Sequence, residues 1–416
     1  MLNAAALALL GLSSTASGQT AEPGWEFDSS TLVYSETDGR VQAVEPKLRA
    51  TRYGQDGQIL TGAVTVDVLT GASPNGAAPA STPQTFSRPS GNGQYSAAPG
   101  ETPLDDTFKD TRVALDGAYT LPLGTRNSLT MSANASNEYD YSSFGGGATF
   151  TREFNLKNTT VSLGANVASD SIDPEGGIPV GLSRVPGPGE PTGRAEGGDS
   201  KTITDLLASV TQVLSPDSLA VFSYSMSLSD GYQTDPYKLL SVVGSDGEPL
   251  RYAYELRPDQ RTKHAVYGQY KRFVFERDVW DISLRLMTDD WGIVSQTLDS
   301  TYRWNFTDNR YLEPHLRYYR QGEADFYRTA LFDGEENTLP FASADQRLGQ
   351  FDAVTVGIKY GQTLRSGNSW SLRLEGYTQL GKTAGVPEQA AAGLAKFDLE
   401  PELSAVMLTA GYRFRW

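Results

Sequence analysis

The chain has 416 residues, no cysteine and 2 histidines, and its 35 Lys and Arg against 50 Asp and Glu give a formal charge of −15. This excludes a disulfide scaffold, thiol catalysis, Cys-ligated metal centres and a cysteine-borne lipid anchor, and the acidic balance argues against nucleic acid as a partner. A hydrophobic content of 38% looks like that of a soluble protein.

Residues 1–21 carry a short apolar run, Ala4 to Leu12, followed by small residues. That run is too short to cross a bilayer as a helix and fits a secretory signal peptide, although the usual basic start is missing. Cleavage after Ala16-Ser17-Gly18 divides the chain into a signal peptide, 1–18, and a mature part, 19–416. No other apolar stretch approaches 18 residues, so a helical membrane protein is excluded.

From Trp25 onward the pattern has period 2, the mark of strands with unlike faces. Sixteen such segments follow, at about 25–36, 40–53, 58–70, 111–121, 127–140, 144–155, 159–170, 201–214, 217–230, 262–275, 278–289, 293–306, 309–324, 351–364, 369–380 and 402–416. The last is the clearest: Val406, Leu408, Ala410, Tyr412, Phe414 and Trp416 share a face, opposite Thr409, Gly411, Arg413 and Arg415.

The connections sort by parity. After every even segment comes a short turn rich in Gly, Pro, Asn or Asp. Every long connection (71–110, 171–200, 231–261, 325–350 and 381–401) follows an odd segment. A soluble two-sheet sandwich, the alternative, has no reason to sort its loops in this way. A transmembrane antiparallel up-and-down β-barrel does, with short periplasmic turns, long extracellular loops and an even strand number. Closure is required because lipid offers a sheet edge no hydrogen bonds. The fold class expected is therefore all-β, a barrel of about 16 strands. Its low hydrophobicity follows from alternation.

Several stretches resemble a family of predicted bacterial outer-membrane barrels, the domain-of-unknown-function family 3570. They are TDGRVQAVEP (37–46), DVLTGASPNGA (67–77), REFNLKNTTVSLG (152–164), IDPEGGIP (172–179), DGYQTDPYK (230–238), RYAYELRPDQRTKHAVY (251–267), DDWGIVSQT (289–297), RYLEPHLRYYRQGEADFYR (310–328) and ASADQRLGQFDAVTVGIKYG (342–361). The resemblance implies an outer-membrane barrel of a Gram-negative bacterium and no particular activity.

With the apolar faces toward lipid, the opposite faces place Asp281, Arg285, Asp299, Arg303, Glu313, His315, Arg317, Lys359, Arg373, Glu375 and Arg413 inside. These charges form a candidate lumen ladder, or pair as a network that props the barrel. Segments 4, 5, 7 and 9 offer mostly small neutral residues inside. Sixteen strands leave room for an aqueous channel. Tyr412, Phe414 and Trp416 resemble the C-terminal signal read by the barrel assembly machinery. The 71–110 loop either folds inward to narrow the pore or lies solvated outside. The loop aromatics Tyr232, Tyr237, Tyr252 and Tyr254 read as members of the outer interface belt rather than as a ligand site.

No catalytic residue, metal ligand or cofactor site is read: no nucleophile motif is present, and His264, His315 and the Asp289–Asp290 pair read more simply as rim or lumen residues. The partners expected are outer-membrane lipids and lipopolysaccharide, the assembly machinery through the last strand, and a periplasmic protein. The function expected is passage of a small solute. The alternative is a closed structural or partner-binding barrel of an export or assembly system.

Overall fold

The computed structural model describes residues 22–88, 93–187, 190, 193–275 and 277–416. The proposed signal peptide lies outside them. Sixteen strands close one antiparallel barrel in chain order. They are β1 (Gly24–Glu36), β2 (Gln42–Tyr53), β3 (Ile59–Pro74), β4 (Leu104–Pro122), β5 (Asn127–Asn137), β6 (Tyr141–Phe154), β7 (Thr159–Ile172) and β8 (Asp199–Ser215). The second half comprises β9 (Ser218–Gly231), β10 (Gln260–Val274), β11 (Asp278–Asp289), β12 (Val294–Thr307), β13 (Arg310–Gln321), β14 (Gln350–Thr363), β15 (Ser369–Lys382) and β16 (Leu403–Arg415). β1 pairs with β16 from Glu26↔Arg415 to Glu36↔Ala405, so no edge is left open.

The parity of the connections holds. Each even strand is followed by a tight turn, such as 54–58, where Gly57 takes a left-handed φ of 75°, or Asn155-Leu156-Lys157, three successive non-glycine residues at φ between 49° and 73°. β3 and β4 run further than their period-2 pattern reaches, because they keep pairing to Pro74↔Leu104 past an irregularity at Gly71.

The outer wall carries the large exposed apolar side chains. On β14, for example, Val354, Val356 and Ile358 are exposed while Ala353 and Thr355 are buried on the inner side. At the periplasmic end outward aromatics form a belt, in which Phe27 stacks on Phe414 at 4.9 Å and Tyr360 meets Trp370 at 5.2 Å. Such rings suit the membrane interface because one part is apolar and the other can hydrogen-bond.

The apolar clusters among the described residues lie in the extracellular loops rather than in the barrel. Ala78, from the β3–β4 loop, packs with Val243 of the β9–β10 loop, Ala330 of the β13–β14 loop, and Ala390, Leu394 and Leu399 of the β15–β16 loop. A second cluster joins Leu240, Val242 and Ala253 to Leu331, Ala342 and Ala344. A small sheet, 249–254 with 239–243 and 331–332, ties two of these loops together. Their strands stand well apart around the ring, so their loops share a core only by crossing over the extracellular mouth. They form a cap.

Candidate functional site

The inward faces of β12 to β15 carry a connected row of charges. His315 sits between two carboxylates: Nδ1 is 2.6 Å from Glu375 Oε1 and Nε2 is 3.0 Å from Asp299 Oδ2. Both acceptors are satisfied together only by a ring carrying protons on both nitrogens. Arg373 then reaches Glu375 at 3.4 Å and Glu313 at 3.1 Å. Arg303 Nε donates to Glu313 at 2.8 Å and lies 4.3 Å from the centre of the Tyr311 ring.

Register explains the row. Gly357 stands between His315 and Glu375, directly opposite both. A methyl group there would lie 2.6 Å from Glu375 Cγ, so only glycine leaves the gap across which the imidazole meets the carboxylate. At the next inward position, two residues along each strand, Lys359 lies opposite Glu313 and Arg373 in the same way. Lys359 Nζ is 5.9 Å from the Tyr311 ring centre.

The other expected ladder residues divide. Asp281 accepts from Gln269 at 2.8 Å and pairs with Lys271 at 3.1 Å. Arg413 meets Asp28 at 2.5 Å near the periplasmic end, away from the row. Arg285 and Arg317 have no ion pair among the described residues. Asp299 is the cross-strand neighbour of Arg317, yet it turns to His315, which leaves the Arg317 side chain exposed to the lumen. The wall across from this row, on β5, β7 and β9, is mostly small and neutral as expected, with Ser132, Asn134, Ser162, Asn166, Ser223 and Ser225 among its inward residues, but β7 also turns Asp170 inward, buried and 3.7 Å from Lys201. β4 departs from that expectation. It turns Asp110, Arg112 and Asp116 inward, and Arg112 pairs with Asp67 at 3.1 Å.

The cap has a polar lock of its own. Arg257, in the β9–β10 loop, contacts Glu255 of the same loop at 2.6 Å and Asp345 of the β13–β14 loop at 2.8 Å, and Arg347 bridges Asp345 and Asp235, both at 2.6 Å. Burial pushes the Asp345 carboxyl up, but Arg347 and Arg257 outweigh it and hold it well below the ordinary range. Glu255 is fully buried, and there burial wins over Arg257 and raises it. Glu248 gathers Ser81 and Lys396, so it joins a third and a fourth loop.

Two expectations are corrected here, and one open choice is decided. The β9–β10 loop aromatics are not an interface belt. Tyr254 is buried against Phe86 and Tyr95 of the β3–β4 loop, and Tyr237 donates to Asp140. Of the two readings of the β3–β4 loop, the solvated one is ruled out, since its 84–87 and 94–97 hairpin packs into the same cluster. Asp289 is not a solvated rim residue. Its side chain is buried, and it accepts from Arg261 at 2.8 Å and from the Trp291 and Ile293 amides at 3.1 and 2.9 Å. Sequence reasoning missed the cap, although Trp291 and the buried-type apolar residues of the loops were visible signals.

His264 faces lipid and hydrogen-bonds Tyr224 at 2.8 Å, remote from His315. Among the described residues no group of three or more His, Asp or Glu is placed to hold a metal ion.

An apolar outer wall, a polar charged lumen, parity-sorted loops and full closure define a transmembrane β-barrel of the outer-membrane type. The chain belongs to the family described as "Protein of unknown function (DUF3570)", which it matches over residues 1–414. No curated protein matches it in sequence. In fold it is similar to a bacterial polysaccharide outer-membrane secretin (8% identity, 94% of this chain and 99% of that one, TM-score 0.45). It is also similar to OccK3 (OpdO) of Pseudomonas aeruginosa (8%, 95% and 96%, TM-score 0.42). CdiB from Acinetobacter baumannii aligns at 9% identity and TM-score 0.44 over 94% of this chain, which spans 60% of CdiB.

Proposed function

We propose that this chain is an outer-membrane channel of a Gram-negative bacterium, passing a small solute at a rate limited by the loop cap. The observation that carries the reading is the placement of apolar and polar groups. The apolar clusters lie in the loops, while the lumen wall is serine-, asparagine- and charge-lined and keeps a recess of about 500 Å³ beside Arg317. A wall of that chemistry is wetted rather than packed. The paired charges of the His315 row hold that wall in shape, and Arg285 and Arg317 remain to act on a passing solute. Outer-membrane lipids and lipopolysaccharide surround the barrel in this reading. Tyr412, Phe414 and Trp416 present its last strand to the assembly machinery, and the tight turns face any periplasmic partner.

The cap over the mouth favours a second reading, a closed structural or partner-binding barrel. Solute entry into proteoliposomes separates the two. The channel reading expects measurable swelling with small solutes and faster swelling after deletion of 77–100, which removes the cap hairpin. A barrel that admits nothing before or after that deletion supports the closed reading.

A further inference from the structure

The recess beside Arg317 has the build of a ligand site. It lies in the lumen wall between β1 and β13 to β16, with a volume of about 500 Å³, within the size range of small-molecule sites. Three tyrosines line it, and each is tied in the same way: Tyr34 donates to Glu36 at 2.8 Å, Tyr319 to Gln321 at 2.6 Å and Tyr377 to Gln379 at 2.8 Å. In every case the partner is two residues further along the strand, toward the extracellular end. The hydroxyls are therefore engaged at one end and the rings form the walls. Leu403 and Met407 supply an apolar floor.

The polar groups at the recess are unequal. His315 and Glu375 satisfy each other. Arg317 has no ion pair among the described residues and is exposed to the lumen. One guanidinium without an ion pair, open to the lumen and facing fixed aromatic rings, suits a flat apolar body carrying one negative charge. The guanidinium fork takes a carboxylate through two parallel hydrogen bonds, and Met and ring faces take an aromatic body. A neutral sugar would leave the cation unpaired, and an organic cation would meet it directly.

We propose that this recess is a binding site for small aromatic carboxylates. The inference rests on the channel reading for its role, since it names the solute class, but binding itself needs no conduction. The test is ligand-observed NMR titration of the full-length barrel, folded in detergent, with benzoate, benzyl alcohol and benzylamine. Benzoate is expected to saturate, with benzyl alcohol and benzylamine at least about ten-fold weaker. Arg317→Gln breaks no ion pair and is expected to fold, which retained heat-modifiable gel migration verifies, and to weaken benzoate about ten-fold. Tyr377→Ser removes a ring and is expected to weaken benzoate and benzyl alcohol alike. Absence of saturable benzoate binding, equal binding of benzylamine, or unchanged binding by Arg317→Gln overturns the site. A barrel that binds benzoate without admitting any solute overturns the channel reading and leaves the site standing.

Discussion

Leu394→Ala tests whether the loops form a cooperative cap separate from the barrel. Leu394 is fully buried, and its neighbours Ala78, Ala330 and Ala390 are short side chains anchored on three different loops. They offer little to fill the space the substitution leaves, so the loss is expected near the middle or upper part of the usual Leu→Ala range, about 3–4 kcal/mol. The barrel sheet contributes none of the cluster's buried residues, and the loss is confined to cap opening. If the cap opens as one unit, hydrogen-exchange protection of the Val243, Leu331 and Ala342 amides falls by a factor on the order of 100 or more. Amides in β5 to β9 keep their protection, and the folded barrel keeps its heat-modifiable migration. Unchanged protection in both loops refutes the shared core. Loss of the folded band refutes the separation of cap from barrel.

Other consequences follow from the same geometry. Burial raises the Glu400 carboxyl to about 7, partly offset by the hydroxyl of Tyr327 and reinforced by Asp398. The folded cap then binds more protons than the opened cap between roughly pH 4.5 and 7. Its stability is highest below that window and falls as pH rises through it, so exchange protection corrected for intrinsic rates is expected to be greater at pH 5 than at pH 8, and Glu400→Gln to flatten the difference. A rise with pH contradicts this. Arg257→Met leaves Glu255 and Asp345 without their shared cation and is expected to cost about 3–5 kcal/mol of cap stability, read as faster proteolysis within 232–259 and 322–349. Cleavage at the wild-type rate argues that the network holds nothing. Gly357→Ala forces Glu375 away from His315 and is expected to lower the midpoint of the heat-modifiable transition, with a cost of about 1–3 kcal/mol; an unmoved midpoint means that the contact is dispensable.

The strands were legible because alternation is local. Val406 to Trp416 declare their face without reference to any other segment, and the parity of the connections orients the barrel. Inward placement of the charges on β11 to β16 followed from the same alternation. Partner choice did not. Asp299 stands opposite Arg317 in register and bonds His315 instead, and Glu375 reaches the same imidazole only across Gly357 on a strand between them. Which loops join in the cap was illegible for a related reason, although their apolar residues were in view. Ala78, Val243 and Leu394 meet across more than half the chain, and no short window of sequence records that meeting. Tyr254 and Asp289 were misread because a loop aromatic and a rim acid look alike in sequence whether they face solvent or a folded cap.

The central claim is that solute passes through the lumen under control of the cap, and planar-bilayer conductance of a locked cap tests it most directly. Leu256 and Ala342 exchange two backbone hydrogen bonds, at 2.9 and 3.0 Å, between the β9–β10 and β13–β14 loops. Such an antiparallel pair has Cα atoms about 5.5 Å apart, within disulfide reach, and the chain has no other cysteine to interfere. The double variant Leu256→Cys/Ala342→Cys is expected to conduct like the wild type when reduced, to lose most of its conductance when oxidised, and to recover on reduction. Conductance indifferent to the disulfide, or absent from the wild type and from the barrel lacking 77–100, contradicts the claim.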